Sequence, residues 1–194
     1  MILYTINGSG SDAVQALAAY AGLEMDARPR NTFRAELETV NPAATVPTAV
    51  LAGQVVTETA AILRYLAHQV DVSLLGRSWQ ERLKVDELVS FLSTGLYAHY
   101  IQRFRPEKFV SDDKQFPDVK QKALVNLAQA LDRLEQLIPV QGLFLVGDTP
   151  TIADFYALVV LRWQNNVQPL TDETPRLKAY WQHLQQQSFF TGQR

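Results

Sequence analysis

TVPTAVLAGQVVTET, residues 45–59, decides how the rest of the chain is read. Its core is β-branched or small and apolar, and Ala52-Gly53 interrupts it, so it reads as two short strands joined by a tight hairpin. Pro47 lacks an N–H and suits the start or the edge of a strand. Thr57 then offers an oxygen to cap a helix. Ile62, Leu63 and Leu66 follow at helical spacing as far as Ala67. The unit is ββα, with Glu58 set between two threonines where the helix should begin.

Upstream, MILYT reads as a short buried strand and NGSGS as a turn. Asp12 to Ala21 reads as a helix closed by Gly22, with Ala13, Leu17 and Tyr20 or Ala21 on its buried side. A second strand over Glu24–Arg28 makes a βαβ unit, which favours a parallel, right-handed crossover. Pro29 to Thr45 is polar, with a short irregular helix expected over Phe33–Val40.

Downstream of residue 70 the signals are helical. Ser78 and Glu81 form a capping box, and Leu88, Leu92, Leu96, Tyr100 and Phe104 repeat every fourth residue, so one long helix is expected over Ser78–Phe104. Pro117 suits the first turn of another helix, which carries Leu124, Leu127, Leu131, Leu134 and Ile138. That run is too short for a coiled coil and reads as a core helix. Thr151–Val167 and Thr174–Gln186 complete the set. Thr151 and Asp154 form a second capping box, which gives Asp154 a structural role, flanked by Pro150 and Phe155 as an apolar staple. The expected division is 1–69, a linker at 70–78, and a helical segment at 79–194.

The chain has 194 residues, 47% hydrophobic and 20% charged, enough for a sizeable core. A formal charge of -2 gives no general attraction to nucleic acid or to an anionic membrane. Without cysteine there is no disulfide, no thiolate metal site and no cysteine nucleophile, so any thiol chemistry must use a ligand's sulfur. His68, His99 and His183 show no metal-binding spacing. No stretch approaches the ~18 apolar residues of a membrane span, and the N-terminus lacks a basic leader. A cytoplasmic location is expected.

Two blocks, NPAATVPTAVLAGQVVTETAAILRYLA (41–67) and VGDTPTIADFYALVVLRW (146–163), resemble the glutathione S-transferase family, its bacterial beta-like members above all. The resemblance runs over nearly the whole chain. It implies an α/β plus all-α fold: a thioredoxin-like βαβ-ββα domain followed by a helical one. It also implies a homodimer with no permanently bound cofactor, in which glutathione is the cosubstrate and its thiolate attacks small electrophilic, hydrophobic substrates in detoxification. Glutathione-dependent isomerisation, peroxide reduction, or binding without turnover remain open within the same fold.

The resemblance also distributes roles. A cis peptide at Val46-Pro47 would present the Val46 backbone to an extended ligand, in the manner of an added strand. Glu58 and Thr59 would hold the ammonium and carboxylate of the γ-glutamyl end, a pairing that a free helix N-terminus favours. The thiol needs an anion stabiliser, because a free thiol near pKa ~8.5 is only a few per cent ionised at neutral pH. Ser11 is the first candidate, with Ser9 and Tyr4 as alternatives. Gly10 stands where beta-like enzymes often carry cysteine, which argues against chemistry through a protein thiol. Arg34, or else Arg28 or Arg30, would meet the glycine carboxylate. Tyr97, Tyr100 and Arg103, with His99 beside them, would wall the electrophile site, although Tyr100 and Phe104 also lie on the core stripe. Trp163 is a large core aromatic within reach of the same cleft.

Overall fold

The computed structural model describes residues 1–191, so the last three residues of the expected helical segment lie outside it. The first half runs β1 (Ile2–Thr5), α1 (Ser11–Tyr20), β2 (Asp26–Pro29), α2 (Arg34–Val40), β3 (Thr48–Leu51), β4 (Gln54–Thr57) and α3 (Thr59–Val70). Its four strands stand in the order β2-β1-β3-β4. β1 and β2 are parallel, and the other neighbouring pairs are antiparallel. This is the thioredoxin-like layer expected from βαβ-ββα, with the second strand shifted a little later in the chain than anticipated.

Local chemistry accounts for the joints. At the hairpin Leu51 pairs with Gln54, and Ala52 and Gly53 adopt φ of 49° and 81°, the double left-handed turn that matches strand twist. Helix α1 ends on Gly22 at φ 65°. There Leu23 N donates to Ala18 O at 2.9 Å and Gly22 N to Ala19 O at 3.3 Å, the paired bonds of a Schellman cap. Along the strands the period of two divides the side chains. Leu3, Ala49 and Leu51 join the main core, while Ile2, Tyr4 and Val50 face the smaller cluster around Leu37 of α2.

After a short turn at Val72–Leu75 the helical half comprises α4 (Trp79–Ser90), α5 (Tyr97–Phe104), α6 (Phe116–Leu137), α7 (Ile152–Val167), α8 (Pro175–Gln185) and α9 (Ser188–Thr191). The single helix expected over Ser78–Phe104 is two α-helices joined by a wide π-type segment at Phe91–Leu96. Ser93 Oγ and Thr94 Oγ1 both donate to Ser90 O, at 3.0 and 2.8 Å, and compete with the regular backbone ladder. The Phe91 ring lies where a side chain at Gly95 would go. In a regular helix every fourth residue drifts by ~40° per step; the wider turns remove much of that drift. Leu88, Leu92, Leu96 and Tyr100 therefore all remain buried, and only Phe104 emerges. No helix among the described residues is long and apolar enough to cross a membrane.

Helix α7 is the pillar between the halves. Every residue from Ile152 to Leu161 is buried, and α1 and α3 of the first half pack on it, as do α4 and α8 of the second. One apolar core consequently runs from Leu3 to Phe189. A helix start buried this deeply has no water to satisfy its N–H groups. Asp154, with no exposed surface, does so for its surroundings. Its Oδ2 accepts from Thr151 N at 2.8 Å and Thr151 Oγ1 at 2.9 Å, closing the capping box. Its Oδ1 accepts from Leu145 N at 2.9 Å and from Tyr180 OH at 2.7 Å. The structural role expected from Thr151-x-x-Asp154 accordingly extends to a loop and to α8. We predict that Asp154→Ala, which strands these donors in the core, costs at least about 3 kcal/mol of folding stability. Urea unfolding measures it, and a loss below about 1 kcal/mol would contradict this bonding scheme.

Candidate functional site

The β1–α1 turn, the cis Val46–Pro47 bond and the start of α3 converge at one place. Gly10, with helical backbone angles, is the point of contact. A methyl group added there would overlap Thr59 Oγ1 and sit 3.3 Å from Pro47 Cδ. Only glycine lets these three segments close on one another. The β1–β3 ladder ends at Thr48, which leaves Val46 beyond it at the rim.

Glu58, not Thr57, occupies the N-cap position of α3. Thr57 is held in β4 by its pairing with Thr48, so its backbone stays extended and the turn falls on the next residue. That residue carries φ 70°, a left-handed angle that costs a non-glycine residue on the order of 1 kcal/mol. The Glu58 side chain is exposed while Thr59 is buried. An anionic group and the first N–H donors of α3, which have no partner within the helix, thus lie side by side.

The three candidate hydroxyls are placed very differently. Ser11 has no exposed surface; its hydroxyl donates to Ile6 O at 3.0 Å and accepts from Ile6 N at 3.2 Å, so it ties the turn to itself. Tyr4 is also buried, and its phenol donates to Glu36, which is paired with Arg28. Burial, and after it the Glu36 carboxylate, push that phenol up. Ser9 alone is half-exposed, with its Oγ 2.8 Å from Ser11 Oγ.

On the other side of this junction stand residues of the helical half. Tyr97 packs on Trp163 with ring centroids 5.1 Å apart. Burial raises its phenol's pKa, and the Glu58 charge adds to the effect. Tyr156 is pushed up by burial, then by Tyr97 and Glu58. Both phenols are therefore neutral hydrogen-bond donors near Glu58 at physiological pH. Tyr100 is not brought to this wall: it is fully buried and its hydroxyl donates to Gln164 Oε1 at 2.9 Å. Arg103 is half-buried, and its Nε is enclosed without a protein partner. His99 Nδ1 lies 3.1 Å from Gln102 Oε1.

A cavity of about 570 Å³ opens at the other side of the turn, lined by Thr5, Ile6, Asn7, Pro29, Arg30, Asn31 and Arg34. Arg34 reaches it while pairing with Glu38 at 2.8 Å. Arg28 instead serves Asp26 and Glu36. The sequence reading missed Tyr156, Asp12 and Arg162. Tyr156 and Trp163 are seven residues apart, a spacing that puts them on one helix face and was legible in advance. Asp12 read only as the start of a helix, and nothing local pairs it with Arg162, which is 150 residues away.

Comparison with known proteins agrees in both halves. Residues 11–69 match the family model for the glutathione S-transferase N-terminal domain, and residues 96–188 match that for its C-terminal domain. Glutathione S-transferase GST-4.5 of Xanthomonas campestris pv. campestris is 26% identical over 147 residues, 75% of this chain and 72% of that one. A probable maleylacetoacetate isomerase of Caenorhabditis elegans is 32% identical over 124 residues, covering 62% of this chain and 56% of that protein. A sphingomonad glutathione S-transferase complexed with glutathione superposes with TM-score 0.83 at 26% identity, covering 100% of this chain and 96% of that one.

The packing at Gly10 has a measurable consequence. Gly10→Ala is expected to cost about 1–3 kcal/mol, as overpacking does. In a Thr59→Ala background, where the obstructing oxygen is gone, the same change should cost much less. A double-mutant cycle on unfolding free energies reads this coupling, and strict additivity would refute the contact.

Proposed function

The chain belongs to the glutathione S-transferase family, and from that premise we propose that it is a glutathione transferase whose bound thiolate attacks a small, hydrophobic electrophile. The observation that carries this reading is the junction of Gly10, Pro47 and Thr59 beside exposed Glu58. A zwitterionic amino-acid end fits there, its ammonium on the Glu58 carboxylate and its carboxylate on the α3 N-terminus and Thr59 hydroxyl. An extended tripeptide then runs past the Val46 backbone, and its glycine carboxylate meets the cavity flanked by Arg30 and Arg34. Glutathione has these two charged ends, and its thiol lies between them at the β1–α1 turn.

In this scheme Ser9 stabilises the thiolate, supported by its exposure and by the engagement of Ser11 and Tyr4 elsewhere. Ser11 Oγ has one proton, spent on Ile6 O, so it is an acceptor toward Ser9. Ser9 swings its proton from Ser11 to the sulfur when the anion forms. The thiol proton leaves to solvent, a sulfur–carbon bond forms, and the electrophile's leaving group departs or its double bond takes up the electrons. Tyr97 and Tyr156 wall the electrophile side and donate to an oxygen that gains charge. Glutathione-dependent isomerisation is the second reading, favoured by the similarity to the probable maleylacetoacetate isomerase.

The chain is further proposed to form a homodimer. Trp79 and Leu83 lie one turn apart on α4, exposed by 68% and 61%, and β4 forms an edge of the sheet with Val55 exposed. Apolar surface of this kind is characteristic of an interface.

Glutathione at 100 times its dissociation constant should stabilise the fold by ~2.7 kcal/mol, read as a thermal shift; no shift at millimolar concentration would refute the reading. Ser9→Ala should lower kcat for conjugation ~10- to 100-fold with little change in glutathione affinity, whereas Ser11→Ala should chiefly lower stability. Retained activity in Ser9→Ala with a collapse in a folded Ser11→Ala would return the role to Ser11. An assay panel of conjugation, isomerase and peroxide substrates separates the two readings. In sedimentation, the protein should run at twice its chain mass and Trp79→Glu should run as a monomer.

A further inference from the structure

The turn that carries Ser9 is held from the opposite half of the molecule. Gly8, at φ 75°, has both sides of its backbone occupied. Its N–H donates to Asp12 Oδ2 at 3.0 Å, and its carbonyl accepts from Trp163 Nε1 at 2.7 Å. Asp12 Oδ2 also accepts from Arg162 at 2.8 Å. Asp12 is 5% exposed while Arg162 keeps part of its surface, so these bonds are partly shielded from water, where a charge-assisted pair is stronger and specific in geometry. The indole has little freedom of its own. It packs against Tyr97, Tyr100 and Phe104 at centroid distances of 5.1, 5.7 and 6.2 Å.

We propose that Trp163 and Arg162 are positioning residues for the sulfur site: from α7, Trp163 fixes the Gly8–Ser9 peptide at its carbonyl and Arg162, through Asp12, the preceding Asn7–Gly8 peptide at its N–H, and together they set the direction in which the Ser9 hydroxyl meets the thiolate. The inference rests on the reading of Ser9 given above. A hydrogen bond aimed at a developing anion loses most of its effect when its donor is displaced by an ångström or so. Local bonds, Ser9 N to Ile6 O at 3.2 Å and Asp12 N to Ser9 O at 3.0 Å, hold the rest of the turn; Gly8 has no side chain to fix its left-handed angle, so losing Trp163 frees the Gly8 carbonyl in particular.

Trp163→Phe is the cleanest probe, because it removes the N–H and keeps an aromatic ring. It leaves untouched the charged and titratable groups around the turn, namely Asp12, Arg162, Glu58, Tyr97 and Tyr156. The ionised fraction of bound glutathione is read from the ultraviolet absorbance of the thiolate, with S-methylglutathione, which cannot ionise, as the affinity control. The expected result is a ~10-fold smaller ionised fraction at neutral pH, a matching fall in kcat that recovers as pH rises, and S-methylglutathione affinity within ~2-fold of wild type. An unchanged ionised fraction, or a parallel loss of affinity for both ligands, overturns the proposal. Should Trp163→Phe fail to fold, Arg162→Gln carries the same test with the same outcomes. If wild-type protein does not ionise bound glutathione at all, the assignment of function falls first; if it does and the variants match it, only this inference falls.

Discussion

The burial of α7 is the constraint on which the rest of the structure depends. A helix apolar on all sides must be surrounded, and here neither half can do it alone. Helices α1 and α3 cover one side and α4 and α8 the other, so the two halves are joined by a shared core, not merely linked by the chain. Its first turn lies too deep for water, which is why Asp154 has to satisfy Thr151, Leu145 and Tyr180 together. Its sixteen residues span ~24 Å. At the far end, where burial becomes partial, Arg162 and Trp163 reach the β1–α1 turn. One element thus sets the stability of the interior and the geometry of the cleft.

The cleft collects departures from low-energy local structure. Glu58 takes a left-handed angle, Gly10 is pressed against Thr59 and Pro47, and a wide helical segment ends immediately before Tyr97. Each is held in place by packing around it. For the extended, charged tripeptide proposed above, such rigidity would keep the binding groups in place before the ligand arrives and reduce the ordering cost of association. The neutral phenols of Tyr97 and Tyr156 beside an exposed acid give the two walls different character: charged on the sheet side, aromatic and hydrogen-bond donating on the helical side.

Much of the fold was legible because its signals are local. The Ala52-Gly53 turn, the Gly22 cap, the Ser78 N-cap and the Thr151 box each depend on residues a few positions apart; only the return bond of the box expected at Ser78 differs, Glu81 accepting from Arg77 N. Where reading failed, an interaction that competes with the local signal had decided the matter. Thr57 has the chemistry of a cap, but its ladder with Thr48 removed it from that position. The π segment inside the expected long helix rests on the Phe91–Gly95 fit and two competing hydroxyls, which periodicity alone does not weigh against a regular helix.

By itself the sequence determined most of the order of elements and the class of fold, and it brought Pro47, Glu58 and Thr59 forward as candidates, since hydrophobic period, turn chemistry and the Pro47–Thr59 block are properties of contiguous residues. Tertiary structure decided which hydroxyl at the β1–α1 turn keeps some exposure, which tyrosines lie near Glu58 and that α7 grips Gly8. Those outcomes depend on burial and on hydrogen bonds across 150 or more residues. A side chain's exposure and the direction of its proton are set by what the folded chain packs around it, and Ser9 and Ser11, two residues apart, differ for that reason alone.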